Sequence, residues 1–153
     1  MRIQNEAALQ QFGKRLADLL QPGDVLLLDG DLGAGKTSLT KGIAEGLGID
    51  APIKSPTFTI IREYQQGRLP LYHMDIYRLE NGGADDLGLE EYFEGDGVSV
   101  VEWPEFLGQS LPEAYLMLHL VKDENDDDAR HLSFDAVGER AQALLKQLDI
   151  TEE

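Results

Sequence analysis

The sequence predicts an α/β domain with a mostly parallel central sheet, and three observations carry that expectation. Val25-Leu-Leu-Leu28 is a continuous apolar run rather than an alternating one, the pattern of a central strand covered on both faces. A Gly-rich run, Gly30-Asp-Leu-Gly-Ala-Gly-Lys-Thr37, follows it at once. From Lys36 to Leu47, Leu39, Ile43 and Leu47 then recur at helical spacing. Strand, glycine turn and helix in that order form a phosphate-binding unit, so the expected architecture is a three-layer P-loop fold with antiparallel hairpins added to the sheet. The 153 residues have the length of one domain, assigned to residues 1–150, and contain no internal repeat or linker.

The remaining elements follow in chain order. Asn5 is placed as an N-cap, and the segment to Leu20 carries Leu9, Phe12, Leu16 and Leu19/Leu20 three or four residues apart, an amphipathic helix that Pro22-Gly23 breaks. Gly48 is the expected C′ residue of the helix after the glycine turn. Gly42 and Gly46 weaken that helix by up to ~1 kcal/mol each relative to Ala unless close packing requires them. Thr57 to Tyr64 and Leu69 to Tyr77 read as strands of an antiparallel hairpin joined by Gln65-Gln-Gly-Arg68. Polar Asn81 to Asp86 leads to a short helix around Leu87 to Phe93.

Gly97 to Trp103 is a strand whose apolar Val98, Val100 and Val101 end abruptly in Glu102, and Pro104 starts a helical turn or loop. Tyr115 to Val121 and His131 to Phe134 are strands flanking the acidic loop Asp123 to Asp128. Val137 to Leu148 closes the chain as a helix with Leu144, Leu145 and Leu148 on one side, and the residues from about Asp149 are expected to fray.

Twenty-nine acidic residues against thirteen basic give a formal charge of −16. Such a surface repels phosphate backbones and offers few cations for counterion release, which argues against autonomous nucleic-acid binding. A bound nucleotide must be held locally, by backbone N–H groups and Mg²⁺. The acidic exterior serves solubility first, and also suits docking on a basic protein partner. The absence of cysteine excludes disulfides, thiolate metal sites and cysteine nucleophiles. The start lacks a signal-peptide core, and no apolar run approaches the ~20 residues that span a bilayer, so the expected location is cytoplasmic, with no membrane partner.

The glycine run supplies the chemistry of phosphate binding. Gly33, Ala34, Gly35, Lys36, Thr37 and Ser38 are the expected nucleotide cradle: N–H groups curl inward, the helix N-terminus adds about half a positive charge, Lys36 reaches the outer phosphates and the Thr37 hydroxyl faces Mg²⁺. A carboxylate at the end of a neighbouring strand is needed to complete such a site, and two qualify, Asp75 and Glu102. Either can meet Mg²⁺ or orient the attacking water. Thr57 is placed where a switch segment senses the γ-phosphate. His73 reads as a hairpin side chain rather than a base, and Asp85-Asp-Leu-Gly88 as an accidental match to a GTPase motif, because no apolar strand precedes it and no guanine-reading N-K-x-D occurs.

Taken together, Gly30 to Thr37, Ser55-Pro-Thr-Phe-Thr59, Tyr72-His-Met-Asp-Ile-Tyr-Arg-Leu79 and Val101-Glu-Trp-Pro104 resemble, in order and spacing, the TsaE (YjeE) family of bacterial ATPases. The resemblance implies a function in forming threonylcarbamoyladenosine at position 37 of tRNAs that read codons beginning with A. It implies partners too, the TsaB and TsaD proteins, with ATP hydrolysis turning the cycle and tRNA met only through the complex. It further implies that Thr37 and Glu102 bind Mg²⁺, Lys36 the phosphates, and Asp75 the hydrolytic water or outer metal shell. Thr57 is then the switch threonine, Trp103 lies beside the metal site, and Arg130 is a nucleotide contact. Arg62, Arg68 and Arg78 are the candidates for a stimulating arginine within the chain. Two other readings stay open: a small-molecule kinase, although the arginines after Thr37 are scattered rather than paired, and a nucleotide-sensing scaffold.

Overall fold

The computed structural model describes residues 1–56 and 59–148. Among the described residues, seven strands form one sheet: β1 (Arg2–Ile3), β2 (Val25–Asp29), β3 (Ile61–Tyr64), β4 (Leu71–Asp75), β5 (Val98–Glu102), β6 (Tyr115–Lys122) and β7 (Arg130–Val137). The α-helices of the described residues are α1 (Glu6–Ala17), α2 (Lys36–Gly46), α3 (Leu89–Phe93) and α4 (Glu139–Leu148). In the spatial order β1-β7-β6-β2-β5-β4-β3, the central four strands run parallel, while β3 on β4, β7 on β6 and β1 on β7 are antiparallel. This is the expected parallel core with hairpin additions.

The continuous apolar run in β2 is explained by burial on both faces. Leu26 and Leu28 join a core shared with α1, α2 and α4, whereas Val25 and Leu27 join a second core with Met74, Val101, Leu89 and Phe93. The third layer is thin, because the second core is covered by the five-residue α3 and single helical turns.

Close packing accounts for the glycines inside helices. A Cβ on Gly46 would come within 2.6 Å of the Ala17 Cβ, and one on Gly42 would overlap the backbone of Gln10. These glycines let α2 lie directly on α1, so their low helix propensity is offset by interhelical contact. Asn5 caps α1 as expected, its side chain accepting the Ala8 N–H at 2.8 Å. At the other end of the sheet, Arg140 of α4 holds buried Asp24 with Nε and Nη2, both at 2.9 Å, and donates to the Leu19 carbonyl at 2.7 Å. That fork ties the C-terminal helix to the start of β2.

Several boundaries differ from expectation for local reasons. β4 stops at Asp75 rather than Tyr77, because the Asp75 carboxylate accepts the Tyr77 N–H at 3.0 Å and turns the chain into a helical turn, Tyr77–Leu79. β3 begins at Ile61: Ile60 has φ 69°, which an extended strand cannot accommodate. β7 runs on to Val137, and Gly138, at φ 94°, separates it from α4. The two-residue β1, which pairs with β7, is too short to leave a sequence signature.

Candidate nucleotide site

A cleft of about 560 Å³ opens at the C-terminal ends of β2, β4 and β5. It is lined by the glycine loop and the start of α2, by Asp75 and Glu102 from adjacent strands, by Ser55 and Trp103, and on the far side by Glu6, Asp128 and Arg130. The register explains the convergence. Leu28 lies opposite Glu102, and Glu102 opposite Asp75, so both carboxylates stand in one row beside the strand that feeds the loop.

The loop itself has the required backbone. Gly33 and Gly35 have φ of 82° and 109°, and Gly35 immediately precedes α2, leaving that helix's first N–H groups directed into the cleft. Lys36 is only 6% exposed, yet its Nζ has no hydrogen-bond partner, an arrangement that favours an anionic ligand in the same cleft. Ser38 donates to Glu6 at 2.9 Å, which joins the helix α1 N-terminus to the loop.

Glu102 is 4% exposed and its Oε2 lies 2.6 Å from Nε2 of His73, which is fully buried. His73 and Asp75, two residues apart on β4, point to the same face, and this alternation is the signal by which the sequence links His73 to the site. The hairpin reading of His73 is therefore incomplete: it is a hairpin residue, but its ring holds a site carboxylate. Glu102 ends β5, and Trp103 follows in the left-handed region with φ 64°, a conformation that costs a non-glycine residue about 1 kcal/mol or more.

Arg130 reaches the loop by an unexpected route. Its Nε donates to the Ala34 carbonyl at 2.8 Å and Nη2 to the Gly33 carbonyl at 3.2 Å, while Nη1 donates to Asp127 and Ala129 carbonyls at 2.6 and 2.8 Å. The side chain thus braces the glycine loop against the turn between β6 and β7. Among the described residues, none of Arg62, Arg68 and Arg78 lines the cleft, and Arg68 instead donates to the carbonyl of Ala17 at the end of α1 and to that of Leu20 just beyond it. Thr57, the expected switch threonine, lies outside the described residues. Asp85 and Asp86 sit in a helical turn, Ala84–Leu87, away from the cleft lining, in keeping with an accidental motif match.

The donor set suits a hard cation. Thr37, Asp75 and Glu102 bring oxygen donors to one cleft, and no cluster of three or more His, Cys, Asp or Glu side chains capable of holding a metal occurs among the described residues. Mg²⁺ in such sites takes one or two protein oxygens and completes its shell with phosphate and water.

A glycine loop between a buried parallel strand and a helix, a buried lysine, and acids at the ends of neighbouring strands define a P-loop NTPase-like domain. Comparison with known proteins narrows the class. Residues 3–132 match the family described as threonylcarbamoyl adenosine biosynthesis protein TsaE, and the chain belongs to that family. It is 50% identical over 147 residues to the tRNA threonylcarbamoyladenosine biosynthesis protein TsaE of Bacillus subtilis, covering 96% of this chain and 91% of that one. It is 43% identical to the Streptomyces coelicolor protein of the same name, covering 86% and 93%. The crystal structure of Bacillus subtilis YdiB superposes with a TM-score of 0.86 at 46% identity, over 97% of this chain and 92% of that one.

Proposed function

We propose that this chain binds ATP with Mg²⁺ and hydrolyses it in support of threonylcarbamoyladenosine formation on tRNA, acting in the cytoplasm with TsaB and TsaD. Family membership supports the pathway, and the observation that carries the chemistry is the buried, unpartnered Lys36 ammonium in a cleft shared with two strand-end carboxylates. The N–H groups from Gly33 to Ser38 hold the phosphates, and Lys36 offsets negative charge on the outer ones. Thr37 and Glu102 would hold Mg²⁺, which supplies charge neutralisation across the phosphate oxygens when bound. Asp75 orients the attacking water or the outer metal shell, and His73 fixes which Glu102 oxygen faces the cleft. Thr57 is assigned the γ-phosphate sensor.

The net charge of −16 supports an indirect encounter with tRNA, through partners that provide the basic surface. With Arg62, Arg68 and Arg78 off the cleft lining among the described residues, and Arg130 engaged by the glycine-loop and turn carbonyls, the missing stimulating group is expected from the complex, so the isolated chain is a slow ATPase. Phosphate release measured with and without TsaB and TsaD tests this. Stimulation of tenfold or more is expected, and equal rates overturn partner activation. Labelled phosphate appearing on a small metabolite would instead favour a kinase.

A further inference from the structure

Lys36 and Trp103 make a contact whose chemistry goes beyond that reading, although it rests on ATP occupying the cleft. The Lys36 Nζ sits 3.9 Å from the centroid of the Trp103 ring. Its three N–H donors have no hydrogen-bond partner, although two carboxylates line the same cleft. An electron-rich aromatic face is thus the group in direct contact with this buried charge. The difference from a salt bridge matters. A carboxylate partner would compete with phosphate for the ammonium donors, whereas a neutral ring steadies the charge and leaves the donors for a ligand.

The backbone is arranged to keep the ring there. Trp103 occupies the left-handed region at the end of β5, where a bulky side chain is strained, and Pro104 follows it into a helical turn. Phe106 stacks at 6.3 Å and 12° to the indole, and Tyr77 packs at 4.9 Å on a tilted plane. The indole is therefore packed against two aromatic rings, themselves in contact, at a position that costs backbone energy. We propose that Trp103 is a positioning residue for Lys36, its ring holding the ammonium by a cation–π contact so that it meets the outer phosphates already oriented.

The test uses the full chain. In the ligand-free protein, the Lys36 ε-methylene should show an upfield ring-current shift by ¹H–¹³C NMR, lost in Trp103→Leu and reduced in Trp103→Phe. Calorimetric titration with Mg-ATP should give binding about 5–20-fold weaker for Trp103→Leu, with Trp103→Phe intermediate because the ring charge distribution is partly retained. An ordinary Lys36 shift, or Trp103→Leu binding like the parent chain, overturns the proposal. So does Trp103→Phe no better than Trp103→Leu. Should Trp103→Leu fail to fold, Trp103→Phe decides, since binding unchanged from the parent also overturns it. If the parent chain shows the shift but binds no ATP, the ATP reading falls while the contact stands.

Discussion

The ring of His73 donates from Nε2 to Glu102 across 2.6 Å, and both groups are almost completely shielded from water. The other ring nitrogen, Nδ1, has no hydrogen-bond partner, so the ring spends its one strong interaction on the carboxylate. A carboxylate held through one oxygen presents the other in a fixed direction, the role that supporting side chains play around metal and nucleophile sites.

Replacing His73 is accordingly expected to affect turnover more than nucleotide binding. His73→Ala should lower kcat by about 10–100-fold, the usual cost of losing such a supporting partner, while ATP affinity changes by less than about fivefold. His73→Gln, which can donate to the same oxygen, should recover part of the loss. Steady-state phosphate release beside calorimetric affinity separates the two effects. Equal losses in kcat and affinity, or no recovery with Gln, would point to a packing role alone.

Arg130 gives a sharper contrast between two roles. As a nucleotide contact it would act through charge, and lysine would be a fair substitute. As a brace it acts through a planar fork spread over the carbonyls of Gly33, Ala34, Asp127 and Ala129, which lysine cannot reproduce. Arg130→Lys is therefore expected to weaken ATP binding nearly as much as Arg130→Ala, by about tenfold, as loss of hydrogen bonds to a charged donor suggests. Faster amide exchange at the glycine loop in both variants is the accompanying signature. Full affinity in Arg130→Lys would return Arg130 to the phosphate-contact role.

What the sequence made legible, and what it hid, follows from the range of each interaction. The loop from Gly30 to Thr37 was readable because its chemistry is contiguous and two of its glycines, Gly33 and Gly35, are needed at φ values other residues avoid. Asp75 and Glu102 were readable as strand ends, and their adjacency depended only on a parallel register between neighbouring strands. The His73 link to Glu102 needed that register plus the two-residue alternation, and Arg130 joins groups 96 positions apart, which no local pattern encodes. The left-handed Trp103 was equally hidden, since a tryptophan before proline reads as extended chain.

The packing of α1 on α2 predicts a substitution that runs against helix propensity. Gly42→Ala would gain up to ~1 kcal/mol in an isolated helix, yet here the added methyl collides with the Gln10 backbone, which cannot swing aside as a side chain would. Overpacking of this kind costs about 1–3 kcal/mol, so the melting temperature should fall by roughly 3–10 °C. Gly48→Ala is the comparison: its Cβ meets nothing within 4 Å, and only its φ of 84° opposes the change. Thermal unfolding that ranks Gly42→Ala as the milder change would contradict the interhelical clash.

His119 supplies the pH dependence. Its Nε2 bonds Asp135 and its Nδ1 bonds Asp29, each at 2.7 Å, joining β6 to β7 and to the strand that enters the glycine loop. The hydrogen bond to Asp135 raises its pKa above the usual 6.5; partial burial opposes the rise, and Asp29 adds to it. A histidine with a raised folded-state pKa stabilises fully below the unfolded value, and that contribution disappears as pH climbs through the folded value. The ring is about a third exposed, so solvent screening keeps the effect small. The melting-temperature difference between the parent chain and His119→Gln should therefore be about 1–3 °C at pH 5.5 and shrink towards pH 8. His73 and His131 are common to both proteins and cancel to first order. A difference that stays constant, or grows, with rising pH would mean that the ring is held in its neutral form, which can donate to only one of its two aspartates.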